Sequence, residues 1–262
     1  MRMNAFKKLL ADGQPGCNGW VGIPNAYSTE VYAAAGWDAV TLDMQHGAVT
    51  IGDVLPLLQA VCQSNVTPMV RVPWNEPGVI QHVLDAGAYG VICPMINTKA
   101  EAEAFVGCAR YAPLGSRSFG PFRASSYGGA DYWQHANTEV LLLAMIETRT
   151  AIKNLDEILS VKGLDGVYLG PSDLSLSMGK TPTLDPVDPE VLAAIKDIAK
   201  RTRAKGLIAG AHTDSAATAA KRYADGYQFC TLFNDVRVMA NAAAAMIKEA
   251  RGQKPVAASK SY

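Results

Sequence analysis

The chain has 262 residues, 49% of them hydrophobic, and carries 24 basic and 24 acidic side chains. That length supports one sizeable core, and the charge balance excludes the electrostatic footprint of a nucleic-acid binder. No apolar run reaches the roughly 18 residues that a membrane span requires. The first ten residues read as a short basic amphipathic helix start and lack a secretory signal's apolar segment. Five scattered cysteines (Cys17, Cys62, Cys93, Cys108 and Cys230) include no CxxC pair, so reduced thiols in a cytoplasmic protein are expected.

Short runs of β-formers alternate with helical periodicity. Residues 18–23 predict a strand, 29–35 a small helix, and 39–42 a strand that empties into Asp43-Met44-Gln45-His46-Gly47. The spacing predicts a helix over 51–62 with Ile51, Val54, Leu55, Leu58 and Val61 on one face. A third strand over 67–72 contains Arg71, a helix over 79–84 closes at Asp85-Ala86-Gly87, and a fourth strand over 89–93 stops at Pro94. His82 and Asp85 share a helix face and read as solvated. After an Ala/Glu-rich helix over 100–111 the periodicity lapses, and 113–137 reads as one long loop with interspersed aromatics.

A strand over 140–146 then runs into Glu147, followed by a helix over 151–159 and a strand over 166–169 that ends in Gly170-Pro171-Ser172-Asp173. A loop passes Pro182 and Pro186. The remainder predicts a helix over 190–205, a strand over 207–210, a helix over 216–223, a strand over 227–230 and a closing helix over 236–251. Residues 1–252 thus read as one domain and 253–262 as a flexible tail. Eight strands, nearly all followed by helices, predict parallel pairing, and at this length a closed (β/α)8 TIM barrel. No Gly-x-Gly-x-x-Gly follows the first strand, which argues against a dinucleotide site.

Function in such barrels collects where the strands end at their C-termini. Asp43, His46, Arg71, Glu147, Ser172 and Asp173 all fall there. Glu147 and Asp173 could face one hard divalent cation. Each residue also has an ordinary use. Glu147 could pair with Arg149 or Lys153, Asp173 could cap the following turn, Arg71 could be a rim ion pair, and His46 a turn residue. The ordinary uses are independent of one another, whereas one functional site accounts for all of them. His212 lies at the same end with a weaker claim. The turn at Gly170 offers the backbone N–H groups of Gly170, Ser172 and Asp173 to an anion.

The ordered motifs Leu42-Asp43-Met44-Gln45-His46, Val70-Arg71-Val72-Pro73-Trp74-Asn75, Pro94-Met95, Arg110-Tyr111-Ala112-Pro113-Leu114-Gly115, Ile146-Glu147-Thr148-Arg149 and Gly170-Pro171-Ser172-Asp173-Leu174-Ser175 resemble the HpcH/HpaI aldolases, metal-dependent class II pyruvate aldolases. The resemblance runs from about Gly19 to Arg251. It implies a phosphoenolpyruvate/pyruvate-type barrel in which Glu147 and Asp173 ligate Mg2+, Mn2+ or Co2+. Pyruvate or a close 2-oxo acid would chelate that ion, its carboxylate meeting the Gly170-Pro171-Ser172-Asp173 turn. Arg71 would stabilise the enolate oxygen. His46, oriented by Asp43, would act as base through a metal-bound water, releasing an aldehyde from a 4-hydroxy-2-oxo acid. Arg123 matches a family arginine suited to an acceptor carboxylate.

Two positions depart from the family: Gln45 stands where a Glu is common, and Met145 where a Gln is common, making the mouth less polar. The resemblance also implies a homo-oligomer, a trimer or a hexamer built as a dimer of trimers, with small-molecule partners. The other readings are a citramalyl- or malyl-CoA-type lyase on the same barrel and a non-catalytic barrel that binds a 2-oxo acid.

Overall fold

The apolar runs of the chain become the staves of one closed sheet. The computed structural model describes residues 1–253. Its eight strands are β1 (Gly16–Val21), β2 (Ala39–Asp43), β3 (Thr67–Arg71), β4 (Gly90–Cys93), β5 (Leu141–Ile146), β6 (Gly166–Leu169), β7 (Ile208–Thr213) and β8 (Phe229–Asn234). They pair in parallel in chain order, and β8 closes onto β1. Helix α1 (Ala5–Ala11) precedes the barrel, and α2 (Ala26–Ala33), α3 (Ile51–Val61), α4 (Pro77–Asp85) and α5 (Lys99–Ala109) follow the first four strands. Apart from Gln253, the tail expected over 253–262 lies outside the described residues.

Three expectations are corrected. The segment expected to be one loop holds α6 (Phe122–Gly128) and α7 (Tyr132–Glu139) before β5. The single helix expected over 151–159 is two, α8 (Arg149–Lys153) and α9 (Leu155–Leu159), which meet at Asn154. Helix α10 (Pro171–Ser177) begins directly after β6, ahead of α11 (Pro189–Ala204), with Pro171 preset for a first helical turn. Helices α12 (Ala216–Ala224) and α13 (Asp235–Ala250) follow β7 and β8. The buried face of α3 is Val54, Leu57, Leu58 and Val61, while Ile51 and Leu55 are exposed.

Strands β2 to β6 are buried along their whole length, one side facing the helices and the other the barrel interior. The interior is a packed layer of Trp20, Met69, Ile92, Leu141, Leu143, Met145, Tyr168 and Phe229, closed by Phe6 and Leu10 of α1. Each such side chain stabilises the fold by about 1.5–3 kcal/mol through burial. Gly210 has no side chain because Phe229 occupies that volume. With the interior filled, only the rim is free for chemistry. Strand register aligns that rim: Asp43 is the pairing partner of Arg71, and Ile146 of Leu169, which sets Glu147 level with Gly170. No helix among the described residues is long and apolar enough to cross a membrane, and all five cysteines are free thiols.

Candidate active site

A cavity of about 490 Å³ opens at the C-terminal mouth, and Asp43, His46, Arg71, Met145, Glu147, Gly170, Pro171, Ser172 and Asp173 all line it. Loops from β5 and β6 bring the two carboxylates to one side. Loops from β8, β1 and β2 form the opposite wall.

Arg71 at the end of β3 holds Asp43 at the end of β2 in a two-pronged ion pair, Nε to Oδ1 at 2.8 Å and Nη2 to Oδ2 at 2.7 Å. Trp20 Nε1 donates to the same Oδ2 at 3.0 Å, and the guanidinium carbon lies 4.8 Å from the Trp20 ring centroid. Burial pushes the Asp43 carboxyl up, but the Arg71 charge and hydrogen bonds outweigh it and bring its pKa down to about 2. The pair is therefore ionised at any working pH. Its planar fork fixes the guanidinium rigidly at the floor of the mouth.

The expectation that Asp43 orients the His46 ring is corrected. Asp43 Oδ1 accepts the backbone N–H groups of Gln45 (3.1 Å) and His46 (3.2 Å), so it fixes the main chain of the turn. The exposed His46 imidazole accepts and donates no hydrogen bond among the described residues. Its ring is free to meet a ligand.

Glu147 is 2% exposed. Its Oε1 accepts the Met95 backbone N–H at 2.7 Å, and Met95 takes a φ of +55° to deliver it, a conformation that L-residues other than Asn and Asp seldom hold. Burial, with Asp173 adding to it, raises the Glu147 pKa to about 7 against the Met95 hydrogen bond and the charge of Arg71. Gly170 must be glycine here, since a Cβ would overlap Glu147 Oε2. The neighbouring ordinary uses do not operate. Arg149 pairs with Glu190 at 3.0 Å rather than with Glu147, and Gly170, not Asp173, is the N-cap of α10. Asp173 is an exposed side chain in the first turn of α10 and accepts no hydrogen bond from any described residue. Of the three N–H groups expected to face an anion, that of Gly170 donates to Ile146 O at 3.4 Å, which leaves Ser172 and Asp173. The buried Ser172 Oγ has no partner among the described residues.

Arg123 is not at this mouth. Its Nη1 donates to Ala86 O at 2.8 Å, beside the turn that enters β4 at the opposite end of the barrel. Gln45 is not among the cavity's lining residues and its buried Oε1 has no partner among the described residues, while Met145 is 2% exposed and lines the cavity. Asp85 is not merely solvated; it holds the buried Arg117 at 2.6 Å.

Two site residues, Trp20 and Met95, show nothing of their role in the sequence, and His212 shows only its position at the mouth. Trp20 sits within an apolar run like any core residue, and Met95 acts through its backbone alone. His212 lines the cavity with Nδ1 3.0 Å from Tyr168 Oη and its ring edge-on to Trp20 at 4.8 Å between centroids. Burial, then the charge of Arg71, lowers its pKa to about 3, so it is a neutral imidazole. Tyr168 Oη continues at 2.5 Å to Thr231 Oγ1, which lies 2.9 Å from the Asn18 side-chain amide inside the barrel.

Comparison with known proteins identifies the family. The model of the HpcH/HpaI aldolase/citrate lyase family matches residues 18–242. The chain belongs to this family. It is 41% identical over 249 residues to the hydroxypyruvate/pyruvate aldolase of Rhizorhabdus wittichii, covering 95% of this chain and 99% of that one. It is 39% identical over 247 residues to the 4-hydroxy-2-oxo-heptane-1,7-dioate aldolase of Salmonella dublin, covering 93% of each. The crystal structure of an HpcH/HpaI aldolase/citrate lyase family protein from Burkholderia cenocepacia superposes with a TM-score of 0.88 at 29% identity, covering 95% of this chain and 99% of that chain. As a member of the HpcH/HpaI family, the chain places its strand-exit motifs around one mouth, as the family likeness of its sequence implies.

Proposed function

We propose that this HpcH/HpaI family member is a carbon–carbon lyase, a class II aldolase that reversibly cleaves a 4-hydroxy-2-oxo acid to pyruvate, or a close 2-oxo acid, and an aldehyde. The observation that carries the reading is the buried Glu147, whose pKa is raised to about 7, beside Asp173 in the cavity that also holds Arg71 and His46. A carboxylate pair held this way is costly unless a cation joins it.

The donor set fits a hard divalent ion such as Mg2+ or Mn2+. Among the described residues no three His, Cys, Asp or Glu side chains converge, so the two carboxylates leave positions for water and substrate oxygens, as small hard cations prefer. Glu147 and Asp173 would hold the ion. When bound, it supplies Lewis-acid polarisation of the 2-oxo group.

The chain's own groups do the rest. The orphaned Ser172 Oγ and the N–H groups of Ser172 and Asp173 suit the substrate carboxylate. The Arg71 guanidinium, locked by Asp43, stabilises negative charge that develops on the 2-oxo oxygen. His46 takes the proton of the 4-hydroxyl as the C3–C4 bond breaks. The bonding pair moves into the C2–C3 enolate, the 4-carbon leaves as an aldehyde, and a proton returned to C3 completes pyruvate. Exposed Phe119, Phe122 and Trp133 around α6 and α7 support a homo-oligomeric interface there.

The deciding experiment is proton NMR of pyruvate in D2O with the purified protein, Mg2+ or Mn2+, and then excess EDTA. Metal-dependent loss of the methyl signal, abolished by Glu147→Ala, is the expected result. Absence of exchange with every metal would overturn pyruvate as the donor.

A further inference from the structure

We propose that Arg237 is the acceptor-end anion receptor of this site, selecting substrates whose aldehyde half ends in a carboxylate. The inference rests on the aldolase reading for its donor end, and on the wall opposite the carboxylates for its own.

Arg237 lines the mouth cavity from α13, together with Asn234 and Val236, across from Glu147 and Asp173. It is half-buried, and its guanidinium makes no ion pair or hydrogen bond with any described residue. That is unlike the other arginines of the rim and barrel. Arg71 pairs with Asp43, Arg110 with Asp165, Arg117 with Asp85, and Arg149 with Glu190. The nearest acid in sequence, Asp235, does not serve it. Asp235 Oδ1 accepts the N–H groups of Gly22 and Val236, both at 2.8 Å, and Oδ2 accepts that of Ile23 at 3.1 Å.

Helix stability does not explain the residue either. Arg237 is the third residue of α13, in a first turn where the positive end of the helix dipole disfavours a cation. The first turns of α3, α9, α10 and α11 carry acids there and no arginine or lysine. Its backbone N–H is already satisfied by Asn234 Oδ1 at 2.8 Å, so the helix start would be intact with any side chain at this position. An unpartnered, partly desolvated guanidinium facing a cavity is a receptor for an anion.

Position decides which anion. The 2-oxo acid's own carboxylate belongs with Ser172 and Asp173 on the far side, and the reacting carbons lie between, near Arg71 and His46. What reaches the β8 wall is the end of the acceptor. A cavity of about 490 Å³ accommodates both halves.

The test compares equilibrium binding of two uncleavable ligands, 2-oxoheptanedioate and 2-oxoheptanoate, which differ only in the terminal carboxylate and lack the 4-hydroxyl needed for cleavage. Calorimetry is run with the full chain and Mg2+. Wild type is expected to favour the dioate by at least about tenfold. Arg237→Gln removes that preference by weakening the dioate alone, and Arg237→Lys restores part of it. Equal affinity for the two ligands in wild type, or equal loss for both in Arg237→Gln, overturns the proposal. Pyruvate exchange in D2O is scored separately. A preference for the dioate without exchange leaves the anion receptor standing and removes the donor reading.

Discussion

Arg71 and Asp43 meet as direct pairing partners on adjacent strands, and two parallel hydrogen bonds of 2.8 and 2.7 Å join them across the floor of the mouth. Removing the acid leaves a buried guanidinium without its counter-charge. Asp43→Asn is therefore expected to destabilise the protein by about 3 kcal/mol at pH 7 in urea unfolding. The pH dependence follows from the depressed pKa. The Asp43 carboxyl titrates near 2 in the folded protein against 3.8 when free, so its contribution is complete above about pH 4 and fades as pH falls through 2. The stability gap between wild type and Asp43→Asn should accordingly narrow below pH 4. A gap that stays constant to pH 2 would show that the ion pair is not its source.

Glu147 runs the other way. Its folded pKa of about 7 lies above the free value of 4.5. The folded state therefore binds the proton more tightly, and stability is lost as pH rises from 4.5 through 7. In EDTA, Glu147→Gln is expected to raise Tm at pH 8, by an amount corresponding to roughly 2–3 kcal/mol, and to change it little at pH 5. Mg2+ should raise the Tm of wild type at pH 8 and leave Glu147→Gln unmoved. Equal response of the two proteins to Mg2+ would remove Glu147 from the ion's donor set.

The mouth was legible in the sequence to the extent that strands stop abruptly at functional groups. Glu147 and Asp173 end apolar runs, and the alternation of elements places every such exit at one rim. What long-range pairing decides was not legible. Asp43 faces Arg71, 28 residues away, and this register is why its carboxylate serves the guanidinium rather than the His46 ring. Arg123 was placed by family likeness alone, and a seven-residue helix, α6, carries too little periodicity to show which way it lies. Trp20 is indistinguishable by pattern from the core residues beside it, though its indole N–H is what anchors Asp43. A backbone donor such as Met95 acts without its side chain, so its residue type does not reveal the role.

Two histidines share the mouth, and their environments separate their roles. His212 gives up its proton near pH 3, so it is neutral throughout the range where an aldolase is assayed. His212→Gln is expected to leave the shape of the pH–rate profile between pH 5 and 8 unchanged, whatever it does to the height. A profile that loses a limb on this substitution would assign the titrating base to His212 instead of His46.

His46 itself is tested by separating the two halves of the reaction. Its imidazole has no partner among the described residues and faces the cavity, whereas in the proposed reaction other residues would hold the donor carboxylate and 2-oxo group. Removing a general base costs typically about 10²–10⁴-fold in rate. His46→Asn should therefore lower kcat for cleavage of a 4-hydroxy-2-oxo acid by that order. Its affinity for pyruvate, measured by calorimetry with Mg2+, should move less than about threefold, because uniform binding is left in place. The split between kcat and binding is the informative readout. Loss of pyruvate binding in proportion to kcat would make His46 a binding residue and transfer the proton chemistry to another group at the mouth.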